Sequence, residues 1–256
     1  MGRLAWLWTG MIVLLAGFQA SIIAAAVSLE ETGDFQRLVA AVPAFVREAI
    51  GPALMSFAGM SVLSFFEPLL ILLCVLFAMY VASEPAGDVE SGLVDLLLAR
   101  PLPRHVIVTR SLVVTTTSAF TLVMSMGVVN VVGIRLMAAP GTVGPTPTVL
   151  ALMMVHLFAL TWCFGGLTLG VAAGLPRRSS ALGVMTLFAG AMYLVNLLAV
   201  LSPRFEAVGS LTLFHYFQGT PIILGRAPTM ENLSVLFGVG AVGVAAAYLR
   251  FARRDL

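Results

Sequence analysis

Residues 84–110, EPAGDVESGLVDLLLARPLPRHVIVTR, form the polar interruption around which this sequence is organised. The segment holds four of the twelve acidic residues and three of the fourteen basic residues, and strongly apolar segments flank it on both sides. A loop that only joined two apolar helices could be polar throughout. This segment instead carries an apolar ridge, which requires a covering surface.

The ridge repeats at helical spacing, and a polar face lies beside it, so the segment is predicted to contain a short amphipathic helix. The ridge comprises Val89, Leu93, Leu96 and Leu97, and the polar face comprises Asp88, Ser91 and Asp95. Pro101 and Pro103 then end the helix, because proline lacks an N–H donor and disfavours helical geometry in the residue before it. The result is a helix followed by a stiff corner between Arg100 and Arg104.

The composition is that of a membrane protein, with 60% hydrophobic residues, 10% charged residues and a mean hydropathy of +1.04. Apolar runs near twenty residues recur, and each is long enough to cross a hydrocarbon core of about 30 Å. We therefore expect an all-α polytopic membrane protein with short interfacial and coupling helices. Six spans are predicted in one transmembrane domain over residues 1–256, at about 4–27, 59–81, 106–132, 149–175, 181–201 and 232–249.

Several chemistries are excluded or disfavoured by residue usage. All fourteen basic residues are arginine, so the lysine that a P-loop or a Schiff base needs is missing. A net charge of +2 is too small to suggest nucleic acid as a partner. Cys74 and Cys163 lie within predicted spans, which disfavours a disulfide, and the three histidines lack metal-ligand spacing. We expect no catalytic residue, metal or cofactor on this chain.

Other features admit both a functional and a structural interpretation. Glu67 lies in a predicted span, so it is either a contact for substrate or protons along a pathway or a structurally paired acid. Gly166, Gly170 and Gly174 share one helix face and allow close helix packing, within the chain or at a dimer seam. The amphipathic stretch 35–50 is expected to lie at the outer interface, as a gate or as a tether. The first apolar run is interpreted as a retained span, and the alternative interpretation is a cleaved signal peptide.

Arginine placement predicts the orientation, because cytoplasmic loops carry the excess of basic residues. With the N-terminus inside, nine arginines fall on the cytoplasmic side and five on the outside. Both termini, residues 84–110 and the basic turn at 176–180 then share the cytoplasmic side.

The central segment resembles the first cytoplasmic loop of ABC-2-type permeases, the membrane subunits of one group of ABC transporters. The matching positions are Glu84, Glu90, Gly92, Leu96–Leu98, Arg100, Pro101, Arg104 and Arg110. Pro85 and Pro103 depart from the family pattern. The aromatic run Phe214–Phe217 and the ending Arg253-Arg254-Asp255-Leu256 also resemble the family.

The resemblance implies the permease subunit of an ATP-driven exporter in the cytoplasmic (inner) membrane. Its implied partners are a separate ABC ATPase, which binds ATP and Mg, and a second permease copy or a homologous permease. The ATPase-coupling residues would be Glu84, Glu90, Gly92, Leu93, Leu96, Leu97, Arg100, Pro101 and Arg104. The alternatives are an ion-gradient-driven secondary transporter or channel, or a non-transporting membrane scaffold. Apolar walls suit many substrates, and the sequence selects none.

Overall fold

The computed structural model describes residues 2–32, 56–92, 105–217, 219–225 and 229–253. Within these ranges the structure is helical, and no strand occurs. The helices are α1 (Gly2–Thr32), α2 (Phe57–Ser61), α3 (Pro68–Ala82), α4 (Glu84–Glu90), α5 (His105–Met137), α6 (Pro147–Ala172), α7 (Arg178–Leu201), α8 (Glu206–Gly209), α9 (Gly219–Ile223) and α10 (Thr229–Ala252). Short 3₁₀ turns cover Leu63–Phe65, Pro203–Phe205 and Leu213–Tyr216.

Five of these helices are long and apolar enough to cross a membrane: α1, α5, α6, α7 and α10. Helices α3 and α4 meet the same criteria only as a pair, and a bend of 41° separates them. The described chain therefore has five candidate spans, or up to six if the bent pair is one span. These features identify a multi-pass helical membrane protein, as the composition predicts.

The predicted second span at 59–81 is wrong as a continuous helix. Helix α2 ends at Ser61, a 3₁₀ turn follows, and the long helix α3 begins only at Pro68. Pro68 explains the late start, because it disfavours helical geometry at Glu67 yet suits the first position of a helix. The backbone carbonyl of Glu67 accepts a hydrogen bond from the N–H of Ile71 at 3.0 Å. Glu67 therefore precedes α3 and lies at a break between helices.

The other long helices extend beyond or shift from the predicted boundaries. Helix α5 continues to Met137, five residues past the predicted end at 132, and α10 extends the predicted 232–249 at both ends. Helix α6 starts at Pro147 and stops at Ala172, three residues before the predicted limit. The amphipathic stretch predicted at 35–50 lies outside the described residues.

The chain divides into two compact units. The first comprises Met1–Ile71, Thr121–Leu157 and Gln218–Thr229. Its core packs α1 against α2, with side chains from the end of α5 alongside. The members are Ile23, Ala26, Val27 and Phe57, with Met60, Ile134 and Ala138 against them.

A buried polar cluster lies in this first unit, where the helix break leaves a carbonyl without a helical partner. The carbonyl of Ser61 accepts hydrogen bonds from the side-chain amides of Gln19, at 2.9 Å, and Asn130, at 2.6 Å. The hydroxyl of Ser64 donates to Oε1 of Gln19. All four residues are fully buried. Two amides thus replace the donor that the interrupted helix cannot supply, since a buried carbonyl without a partner is costly.

The second unit comprises Leu72–Phe120, Phe158–Phe217 and Met230–Leu256. One core cluster of this unit joins α3, α5, α6 and α10. The buried members are Ala82, Ile107, Val108, Leu169, Ala173, Ala247 and Phe251. Phe214, the first residue of the aromatic run, also packs inside this unit, where its ring centroid lies 5.2 Å from that of Phe164 and 5.4 Å from that of Tyr193.

Glycines bring two helices of this unit into backbone contact. A Cβ atom placed on Gly166 would lie 2.5 Å from the carbonyl oxygen of Gly240, and one on Gly170 would lie 2.6 Å from that of Gly243. Only glycine fits at such distances, because the neighbouring atoms are backbone and cannot rotate away. Gly174 faces the side chain of Arg250 instead, whose Nη1 donates to the carbonyl of Gly170 at 3.1 Å. Gly166 and Gly170 thus contact the backbone of another helix of the same chain, whereas Gly174 contacts a side chain.

Candidate functional site: the α4 helix and its arginines

The central polar segment begins with α4, a helix of seven residues that follows α3 after a bend at Ser83. Pro85 lies in its first turn, where a missing N–H costs little because no helical acceptor is available there. Pro85 and Ala86 are buried. The departure from the family pattern at Pro85 is therefore compatible with a helix.

Helix α4 ends earlier than the apolar spacing predicts. Its last residue is Glu90, and Gly92 follows with a φ of +69°. This left-handed conformation ends helices and favours glycine, which has no Cβ to clash. The N–H groups of Ser91 and Gly92 bond back to the carbonyls of Gly87 and Val89 at 3.0 and 3.1 Å. The prediction of one helix through positions 89–97 is therefore wrong at Gly92.

The structure describes only one residue of the predicted ridge and corner, Val89. Val89 is half-buried and packs against the core cluster of α3, α5, α6 and α10 in the second unit, so it is not part of an exposed ridge. Leu93, Leu96, Leu97, Arg100, Pro101 and Arg104 lie outside the described residues. Their predicted contact with an ATPase remains a prediction from the sequence.

Arg178, the first residue of α7, makes the densest set of contacts with this region. Its Nη2 donates to the carbonyl of Tyr80 at 2.6 Å, and its Nε donates to the hydroxyl of Ser83 at 2.9 Å. The guanidinium carbon lies 4.1 Å from the centre of the Tyr80 ring, in a cation–π contact. The Arg178 side chain therefore binds the end of α3 and the bend before α4.

The backbone of Arg178 forms a further link. Its N–H donates to Oε2 of Glu90 at 2.9 Å. The preceding residue, Arg177, supplies no side-chain cap to α7. A carboxylate at a helix N-terminus satisfies a free N–H and favours the helix dipole. Glu90 is thus the N-terminal cap of a helix that begins 88 positions later in the chain.

The space for this arrangement depends on Gly87. A Cβ atom at Gly87 would lie 3.2 Å from Cδ of Arg178, which is tighter than most Cβ contacts. The absence of a side chain therefore lets the stem of Arg178 cross α4 closely. The alanines of α4, α6 and α7 complete the packing, with Ala86, Ala172 and Ala181 forming one small buried cluster.

A second arginine, Arg110 of α5, pairs with the other acids of α4. Its guanidinium nitrogens lie 3.4 Å from a carboxylate oxygen of Glu84 and 3.7 Å from one of Asp88. The Arg110 side chain is 46% exposed, so these ion pairs are worth little in free energy. Burial raises the pKa of Asp88, beyond the apolar part of α3, and the positive charges of Arg110 and Arg178 oppose that rise.

The acids expected to meet an ATPase therefore have partners within the chain. Glu84 pairs with Arg110, Glu90 caps α7, and Asp88 lies near both arginines. The sequence interpretation missed the roles of Tyr80, Ser83 and Arg178. One signal was present: an arginine at the start of a helix opposes the helix dipole, which predicts a local acid or aromatic partner.

Two other predicted features lie apart from α4: Glu67 and the absence of a metal site. Glu67 is partly exposed at the break before α3, and its role as a pathway residue stays a prediction. Among the described residues, no group of three His, Cys, Asp or Glu side chains could hold a metal ion.

No protein-family model, curated protein or solved structure matches this chain.

Proposed function

We propose that this chain is the transmembrane permease subunit of an ATP-driven ABC transporter of the ABC-2 type, working as an exporter in the cytoplasmic membrane. A separate ATPase subunit would bind ATP and Mg. A second permease copy, or a homologous permease, would complete the translocation pathway, with six spans on each side.

The observation that carries the proposal is the attachment of α4 to two long helices. Arg110 links α4 to α5, and Arg178 links it to α7. The arginine bias supports a cytoplasmic position for α4, together with both termini and the turn at 176–178. A short cytoplasmic helix that contacts two spans is suited to transmit a movement of the ATPase to the membrane domain.

These contacts support the following mechanism. The leucines and arginines of 93–104 would dock on the ATPase, and ATP-driven closure of the two ATPase subunits would displace them. The displacement would reach α4 through Gly92 and then act on α5 and α7 through the arginines. The buried Pro85 and Ala86 would make α4 move as a block, because they pack against the membrane domain.

The ion-gradient alternative has less support. Such transporters use acids paired inside the membrane. Helices α3, α5, α6 and α7 contain no acidic residue, and Glu67 lies at a helix break. No observation on the described residues favours a scaffold over a permease.

Co-purification tests the proposal. The affinity-tagged chain, extracted gently from its native membrane, is expected to bring down a P-loop ATPase identified by mass spectrometry. Replacing Leu96 and Leu97 together by Asp should abolish this recovery, because each buried leucine would contribute roughly 1.5–3 kcal/mol. The matched control is Val143→Asp, at a residue that is 80% exposed on the predicted outer side.

The comparison is made at equal permease amounts. Loss of the ATPase in the double variant and its retention in Val143→Asp would support the docking role. Normal recovery with the double variant would remove 93–104 as the docking element. Purification without any ATPase would count against the proposed function as a whole.

A further inference from the structure

The contacts of Arg178 differ in kind from those of Arg110. Arg110 is nearly half exposed, and it makes one long hydrogen-bonded ion pair with Glu84 at 3.4 Å and one ion pair with Asp88 at 3.7 Å. Arg178 makes two side-chain hydrogen bonds, a cation–π contact and a backbone hydrogen bond to Glu90. Surface ion pairs contribute little to the free energy of folding and are screened by salt. A planar guanidinium that donates to several acceptors is instead held in one defined geometry.

These contacts come from both sides of the bend at Ser83. The Tyr80 contacts hold the last turn of α3, the Ser83 hydroxyl holds the bend itself, and Glu90 holds the end of α4. The bend is therefore fixed at three points by one residue. Since Arg178 opens α7, the direction of α4 is tied to the direction of α7.

We propose that Arg178 is the positioning residue that fixes the bend between α3 and α4 and locks α4 to α7. The consequence for coupling rests on the proposed function: a displacement of α4 would enter the membrane domain mainly through α7. Arg110 would add a weaker, salt-sensitive link to α5.

The lock can be measured on the purified chain in lipid nanodiscs, without any partner. Cys74 and Cys163, both buried and free, are first replaced by alanine. Spin labels are then placed at exposed Ser91, just after α4, and at Leu194, which is 59% exposed on α7. About 24 Å of helix separates residue 194 from Arg178, which suits pulsed electron–electron distance measurement.

The unsubstituted protein should give a narrow distance distribution. Arg178→Ala should broaden it roughly twofold, because the hydrogen bonds and the cation–π contact of the side chain are lost, and the backbone hydrogen bond to Glu90 alone holds α4 less firmly. Arg178→Lys should give an intermediate width, since an ammonium keeps the charge but not the planar fork. The matched control, Arg177→Ala at an exposed neighbouring arginine, should leave the distribution unchanged.

Two milder variants keep the test decisive if Arg178→Ala does not fold. Ser83→Ala removes the acceptor of Nε. Gly87→Val pushes on the Arg178 stem, because a Cβ atom at position 87 would lie only 3.2 Å from Cδ of Arg178. Both should broaden the distribution. An unchanged width in Arg178→Ala, or in both milder variants, would overturn the proposal.

The coupling consequence is measured with the co-purified ATPase, as the ratio of its ATP hydrolysis rate in the complex to its rate when freed from the permease. Arg178→Ala should lower this ratio severalfold while ATPase recovery stays constant. A normal ratio with a broadened distribution would restrict Arg178 to positioning and overturn the route through α7. If no ATPase binds, the proposed function fails, and the distance measurement still decides the lock.

Discussion

The carboxylate of Glu90 accepts a hydrogen bond from the backbone N–H of Arg178 at 2.9 Å. The end of α4 therefore caps the start of α7, and the two helices stabilise one another although they are far apart in sequence. Such a cap is normally supplied by the residue next to the helix, and here Arg177 supplies none.

Glu90→Ala should destabilise the protein by about 1 kcal/mol, the usual cost of losing an N-terminal cap. Glu90→Gln keeps an acceptor oxygen but loses the charge–dipole attraction, so its cost should be smaller. The measurement is thermal unfolding of the purified protein in detergent. The control is Glu30→Ala at the exposed end of α1, which should have no effect, and an equal loss there would refute the capping role.

Gly166→Ala should disrupt the packing of α6 on α10. The added Cβ would lie 2.5 Å from the carbonyl oxygen of Gly240, so a helix backbone has to move, at a cost of about 1–3 kcal/mol. Gly183→Ala and Gly190→Ala in α7 are the matched controls, because nothing lies within 4 Å of the added atom.

The controls should be neutral or stabilising by up to about 1 kcal/mol, since alanine favours a helix more than glycine does. The folded fraction after heating, followed by fluorescence-detected size exclusion, separates the two outcomes. Equal behaviour of all three variants would contradict the close contact between α6 and α10.

The buried amides of Gln19 and Asn130 should be coupled energetically, because both donate to the carbonyl of Ser61. Either single change to leucine leaves one donor, whereas the double change leaves that carbonyl without one. A buried acceptor without a partner costs about 1–3 kcal/mol, so the double variant should lose more than the sum of the single losses. A double-mutant cycle on the unfolding midpoint measures the coupling, and simple additivity would argue against the shared acceptor.

The orientation can be tested by cysteine accessibility in intact cells. In a background without Cys74 and Cys163, a cysteine at 33 or 143 should react with an impermeant reagent from outside. A cysteine at 91 should react only after the membrane is permeabilised, because arginine placement puts α4 inside. Reaction at 91 in intact cells would reverse the predicted topology and remove the cytoplasmic position of α4.

The sequence of the polar segment predicted a helix from local spacing, but it misplaced the end of that helix and the partners of its acids. A short amphipathic helix with an apolar ridge from Val89 to Leu97 was predicted, whereas the described helix covers Glu84–Glu90 and ends before Gly92. The error arose because apolar spacing was given more weight than glycine. The acids were predicted to face a partner protein. Their intrachain partners, Arg110 and Arg178, could not be assigned because no spacing rule connects positions 84–90 with 178.

The sequence by itself determined that this chain is a multi-pass helical membrane protein, since the length and apolarity of a span are properties of one segment. The backbone restrictions that break helices at Pro68 and Gly92 are local too, although a continuous span was predicted across Pro68 and a helix across Gly92. Only the tertiary structure decided that Gly166 meets Gly240, that two amides serve the Ser61 carbonyl, and that Glu90 caps α7. Those pairings depend on which helix faces lie together in space, and many arrangements of the same apolar segments satisfy the local rules equally well.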